Sequence, residues 1–201
     1  MNLLLLDTAA ELCTEWRAAF AGAEDVDVHH GRFEDVIHRI DCLVSPANSF
    51  GLMDGGIDLA IINFFGLQVE YRVQAEIWRR YRGEQPVGTC LMVPTDDPRC
   101  PWLAHCPTMR VPKDVSQTNN SYAACLAALV GAESAGVKTL GCPGLATLTG
   151  RMPFDIAAAQ MRFAYDTWKA PFKLPDWSTL REREWRSHGR SSGGVDGPMH
   201  R

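Results

Sequence analysis

Asp41–Gly56 reads DCLVSPANSFGLMDGG and runs on into Ile57-Asp58. The apolar run Cys42-Leu43-Val44 carries the chain inward and stops at Pro46. A turn of small residues follows, with the amide side chain of Asn48 in it. A second flexible step, Gly55-Gly56, comes next, and Asp58 opens an apolar helical stretch. Glycines let backbone N–H groups approach a ligand closely, and a helix start adds orphan N–H donors and a positive dipole end. The stretch therefore predicts a strand–loop–helix unit that holds a phosphate or diphosphate beside one amide and one carboxylate.

Outward from this loop the pattern alternates. Leu3–Leu6 is a compact apolar run, a buried strand. Ala9–Phe20 has helical spacing through Leu12, Trp16 and Phe20. Val26-Asp27-Val28 begins a second strand, and Glu34–Ile40 sets Val36, Ile37 and Ile40 on one helical face. After the third strand at Cys42–Val44, helices are predicted over Ile57–Phe65 and Val69–Tyr81, and strands over Gly88–Pro94 and Trp102–Cys106. A helix over Asn119–Glu133, a strand over Lys138–Gly141 and a helix over Pro153–Trp168 complete the series. Alternation of this kind predicts an α/β fold with helices on both faces of a mixed sheet. Ligands of such sheets bind where strand C-terminal ends meet helix N-termini, and the Asn48–Asp58 loop sits at such a junction.

At 201 residues the chain suits a single domain. A net charge of −4 argues against a large basic footprint for nucleic acid. Met1-Asn2 followed by the leucines to Asp7 is too short for a membrane span and lacks a basic n-region, so it reads as a strand and no membrane partner is expected. The 7 cysteines are scattered, several inside apolar runs, and read as buried free thiols in a reducing cytoplasm. His29-His30 lacks further ligands at metal spacing, so no metal site is expected. Neither Gly-x-Gly-x-x-Gly nor a P-loop occurs, which weakens dehydrogenase and nucleoside-triphosphatase readings. From about Lys173 the character changes, through Arg181-Glu182-Arg183-Glu184 to a Ser/Gly/Pro-rich end over Ser191–Pro198. That region is expected to hold a short helix and then a disordered tail.

The first loop resembles the signature of macro domains, the ADP-ribose-binding fold. Their pattern is an apolar strand, Asn-Ala-Ala-Asn, a short loop, two to four glycines, Val-Asp and a helix. Here Ser45-Pro46-Ala47-Asn48 follows the strand and Gly55-Gly56-Ile57-Asp58 closes the loop. Asn48 matches the second Asn, Asp58 matches the acid, and Ser45 replaces the first Asn. Pro143-Gly144-Leu145-Ala146-Thr147-Leu148-Thr149-Gly150 resembles the family's second phosphate loop through Pro143, Leu145 and Thr147. Leu148 stands where Gly is usual, and Gly150 where an aromatic usually flanks the distal ribose. Phe50 or Met152 is expected to supply that apolar wall. Gly31-Arg32-Phe33-Glu34 occupies the place of Gly-Asp-Ile-Thr, whose Asp bonds the adenine amino group. With Arg32 there, Glu34 or Asp35 takes over, or backbone groups make the contact, or adenine selection is weaker. His105 resembles a histidine at the end of a family strand and reads as structural.

The resemblance covers residues 1–170 and implies a three-layer α-β-α fold around a mixed sheet of about six strands, with 171–201 as a C-terminal extension. It implies Asn48 and Asp58 as catalytic residues. Ser45, Ala47, Phe50, Gly55, Gly56, Ile57, Pro143, Leu145, Ala146, Thr147, Leu148, Thr149 and Gly150 are implied as ligand contacts, with Arg32 and Phe33 on the adenine side. It implies a cytoplasmic monomer without cofactor that takes ADP-ribose or ADP-ribosylated protein or nucleic acid. Three activities remain open: hydrolysis of an ADP-ribosyl linkage or of O-acetyl-ADP-ribose, reading of ADP-ribose without turnover, and a phosphatase acting on ADP-ribose 1″-phosphate.

Overall fold

A computed structural model describes residues 1–190 of the chain. The end expected to be disordered, from Ser191, lies outside the described residues. In chain order the elements are β1 (Asn2–Asp7), α1 (Ala10–Ala19), β2 (Val26–His30), a 3-10 helix (Phe33–Arg39) and β3 (Cys42–Ser45). Then come α2 (Gly56–Phe65), α3 (Gln68–Tyr81), β4 (Leu91–Pro94), β5 (Trp102–His105), α4 (Asn120–Ser134), β6 (Thr139–Cys142), α5 (Phe154–Lys169) and α6 (Trp177–Ser187).

The strands form one six-stranded sheet in the order β2-β1-β6-β3-β5-β4. β2, β1, β6, β3 and β5 run parallel, and β4 pairs antiparallel with β5 at the edge. The sheet is therefore mixed, and Pro94 is tolerated because it ends an edge strand. Side chains of a strand alternate between faces, so each buried strand feeds two cores. Leu3, Leu5, Cys42, Val44, Ala104 and Leu140 pack with α1, α4 and α5 on one face. Leu4, Leu6, Leu43 and Leu103 pack with the 3-10 helix, α2 and α3 on the other. The result is three layers, α-β-α. β6 passes under the second core at Gly141, where a Cβ would lie 2.7 Å from Ile40 Cδ1, so a side chain there would have to displace Ile40.

Two local expectations need correction. The segment from Glu34 winds as a 3-10 helix from Phe33, not an α-helix. The three-residue turn stacks Phe33 over Val36 against the core, and the Asp35 carboxylate closes the first turn by accepting the Arg32 N–H at 3.1 Å. The strand expected from Gly88 starts only at Leu91, because Gly88 has φ +85° and turns the chain. In the extension, Trp177–Ser187 is helical and docks on the body. Arg183 Nε donates to Tyr122 Oη at 2.9 Å, Asn119 Nδ2 donates to Ser187 Oγ at 3.1 Å, and the Arg186 guanidinium lies 4.2 Å from the Phe163 ring centre.

Candidate functional site

Because five strands run the same way, their C-terminal ends share one side of the sheet. The loops there and the start of α2 enclose a cavity of about 640 Å³. β1 brings Leu6, Asp7 and Thr8 to it, the loop after β2 brings Gly31–Glu34, and the loop after β6 brings Pro143, Gly144 and Ala146–Gly150. This is the strand-end crevice in which such sheets bind ligands.

The first loop is braced by the chain after β5. The Thr108 hydroxyl donates to Pro46 O at 2.9 Å, the Thr108 N–H donates to Ala47 O at 3.2 Å, and Asn48 bridges to Met109. Asn48 lines the cavity, yet its amide closes its own loop. Nδ2 donates to Leu52 O at 2.8 Å, and Oδ1 accepts from Phe50 N at 3.0 Å and Leu52 N at 3.4 Å. Short polar side chains commonly close turns in this way. The loop ends at Gly55 and at Gly56, whose φ of +53° is the left-handed conformation that favours glycine. The first helical bond nearby is Leu59 N–H to Gly55 O, at 3.2 Å. The N–H groups of Gly56, Ile57 and Asp58 precede it, at the positive end of the helix.

Asp58 lines the cavity from the first turn of α2 and is only 9% exposed. Its Oδ1 accepts from the Ser45 hydroxyl at 2.6 Å. Burial pushes the Asp58 carboxyl up to about 7; the Ser45 hydrogen bond opposes that rise and the charge of Asp54 adds to it. An acid with that pKa exchanges a proton at neutrality, as general acid–base catalysis requires. His105 stands opposite Ser45 in the β3–β5 register. Gln85 Nε2 donates to Thr89 O and to His105 O, so Gln85 Oε1 must accept from His105 Nδ1, 2.7 Å away. Burial pushes His105 down to about 3, so the ring is neutral. Its Nε2 has no hydrogen-bond partner among the described residues, and the ring is not among those that line the cavity.

The second loop is pinned at both ends. Gly144 N–H donates to Asp7 Oδ2 at 3.2 Å, Met152 N–H to Ala146 O at 3.0 Å, and Val115 N–H to Gly150 O at 2.9 Å. None of these bonds uses the N–H of Thr147, Leu148, Thr149 or Gly150, which line the cavity. Ala146 holds φ +61° to make the bend. At Gly150 a Cβ would meet Ala146 O at 2.3 Å, which explains why no aromatic stands there. In the loop after β2, Arg32 pairs with Glu34 at 2.6 Å. Asp35 is committed to its own turn, so of the two acids considered only Glu34 lines the cavity.

The structure thus brings together Asn48, Asp58, Ala47, Gly55, Gly56, Ile57, Pro143, Ala146–Gly150, Arg32 and Phe33 around one cavity. Ser45, Phe50 and Leu145 lie outside its lining. Ser45 is fully buried behind Asp58, and Leu145 is fully buried in the core under α1 and α5. Phe50 turns to Arg110, whose guanidinium lies 5.3 Å from its ring centre, and Met152 is buried with Val115 and Ala157. Among the apolar side chains that do line the cavity, Leu52 and Leu148 are the large exposed ones, at 53% and 74%. Sequence reasoning missed Asp7 and Thr108. An acid that ends an apolar strand just ahead of a helix was a signal for Asp7, while nothing local marks Thr108, which acts through pairing of distant loops.

A family model described as Macro domain matches residues 44–161. The chain belongs to the macro domain family. An uncharacterized protein of Aquifex aeolicus is 31% identical over 137 residues, covering 68% of this chain and 78% of its own. Among solved structures, the macrodomain of Mycobacterium tuberculosis DarG superposes with a TM-score of 0.56 at 17% identity, covering 64% of this chain and 82% of that one. Thermosipho africanus DarTG in complex with ADP-ribose superposes with a TM-score of 0.52 at 19% identity, over 70% of this chain and 41% of that one. These structures share the macro domain fold with this chain. The matched segment holds both loops and α2, which line much of the cavity.

Proposed function

We propose that this macro domain binds ADP-ribose in the cavity and hydrolyses an ADP-ribosyl linkage there. The observation that carries the reading is the Asp58 carboxyl, buried at the cavity beside the α2 N-terminus with its pKa raised to about 7. The ADP-ribose bound to Thermosipho africanus DarTG supports the ligand class. The diphosphate lies between the N–H groups of Gly56–Asp58 and those of Thr147–Gly150. Asn48 sets the edge of the distal-ribose subsite. Water adds to the anomeric carbon as its bond to the target breaks; the water proton passes to Asp58 and then to the leaving group. General-base help of this kind is typically worth ~10²–10⁴-fold.

One observation favours a second reading, a reader that binds without turnover. The Asn48 amide is engaged on both its atoms within its own loop, so it orients ribose only by giving up one of those bonds. The test is a thermal-shift titration with ADP-ribose, ADP and AMP, followed by incubation with ADP-ribosylated protein, DNA and the 1″-phosphate and O-acetyl derivatives. The expected result is a clear shift with ADP-ribose and release of ADP-ribose from one of the conjugates. Tight binding with no cleavage of any of them establishes the reader, and no shift at millimolar ADP-ribose overturns both readings.

A further inference from the structure

Ser45 ends β3 and Asp58 lies in the first turn of α2, yet the Ser45 hydroxyl reaches Asp58 Oδ1 at 2.6 Å. Ser45 has no exposed surface, and it does not line the cavity that Asp58 lines. A fully buried hydroxyl that donates to a cavity carboxylate can influence a ligand only through that carboxylate. We infer that Ser45 is a positioning residue: its hydroxyl fixes the Asp58 side chain, holds its charged form and leaves Oδ2 free to take the proton of the attacking water, while Ser45 itself touches no ligand. This rests on the reading of Asp58 as the water-activating acid.

The surroundings leave that task to Ser45. Asp54, just ahead of α2, disfavours the charged form of Asp58. Glu70 on α3 is held by the Met53 N–H, and Asp7 at the end of β1, Arg32 ahead of the 3-10 helix and Glu34 within it line other parts of the cavity. From β5 the in-register neighbour of Ser45 is His105, which is neutral. Among the described residues, the one hydrogen bond that stabilises the Asp58 carboxylate against its burial is therefore the Ser45 hydroxyl. The serine stands where the family pattern has an asparagine, so the support for the acid at this position is built differently in this chain.

The test reads Asp58 directly, by carbon NMR titration of its carboxyl in the wild type, Ser45→Ala, Ser45→Cys and Ser45→Thr. In Ser45→Ala the Asp58 titration is expected to move upward by about one pH unit, the scale of one hydrogen bond to a charged group. Ser45→Cys, a weaker donor of similar size, moves it the same way by less, and Ser45→Thr restores it. At about pH 5, where Asp58 is protonated in every variant, the affinity for ADP-ribose stays within about twofold, and the acid limb of the pH–rate profile moves with the titration. If Ser45→Ala does not fold, Ser45→Cys supplies the same reading. An unmoved Asp58 titration overturns the inference, and so does loss of ADP-ribose affinity in a folded Ser45→Ala, which makes Ser45 a ligand contact. A wild type that binds no ADP-ribose overturns the proposed function but leaves the titration result to be judged separately.

Discussion

Removal of the Asp58 carboxyl from water raises its pKa to about 7, so the folded protein holds a proton there that the unfolded chain releases at lower pH. Stability from this group is present below the ordinary aspartate pKa and is lost as pH rises toward 7. Asp58→Asn is therefore expected to stabilise the protein at pH 8, by up to about 4 kcal/mol, while removing most hydrolysis. Denaturant unfolding of both proteins at pH 5 and pH 8 checks it; equal stability at pH 8 would show that Asp58 is not strained by burial. The same group couples to the ligand. A bound diphosphate favours the protonated form, so ADP-ribose affinity is expected to fall between pH 6 and pH 8, with proton uptake on binding. Calorimetry in buffers of different ionisation enthalpy measures that uptake, and in Asp58→Asn it should vanish.

At the scale of elements, the two cavity loops are built under different constraints. Gly55 has φ −151°, which any residue adopts, and a Cβ there meets nothing within 4 Å. Gly55→Leu is expected to fold with a loss of about 1 kcal/mol at the helix cap but to fill the cavity mouth and abolish ADP-ribose binding. Gly150 has no such room, because Ala146 O lies 2.3 Å from its would-be Cβ. Gly150→Ala should cost about 1–3 kcal/mol and weaken binding by displacing the loop. Chemical unfolding and ADP-ribose titration of the pair separate a blocked cavity from a broken loop. These same glycines show what was legible. Gly55-Gly56 announced the first loop, because two adjacent glycines before an acid and an apolar helix have a local meaning. Gly150 was readable only as a missing aromatic, since the contact that demands it comes from the turn of Ala146.

For the whole molecule, the question is how the body and the extension share stability and binding. α6 leans on Tyr122 and Phe163 of α4 and α5, and none of its residues lines the cavity. A chain truncated after residue 170 is therefore expected to melt earlier yet keep its ADP-ribose affinity within about twofold. At ligand 100-fold above Kd, both forms should gain about 2.7 kcal/mol. A truncated chain that folds but no longer binds would place α6 in the site by a route that the contacts do not show.

The sequence by itself determined the layers, because alternating apolar runs such as Leu3–Leu6 and Cys42–Val44 must be buried on both faces of a sheet. It also determined the order of the two loops and the place of Asn48 and Asp58 in them. Only the tertiary structure decided what those residues do for one another. Ser45 meets Asp58 and lies outside the cavity lining, Asn48 closes its own turn, Phe50 faces Arg110, and Asp7 pins Gly144 from far away in the chain. The physical reason is range. Periodicity and turn chemistry act over a few residues and can be read along the chain, whereas burial, pKa and hydrogen-bond partnership at this site arise between strands and loops that only folding brings together.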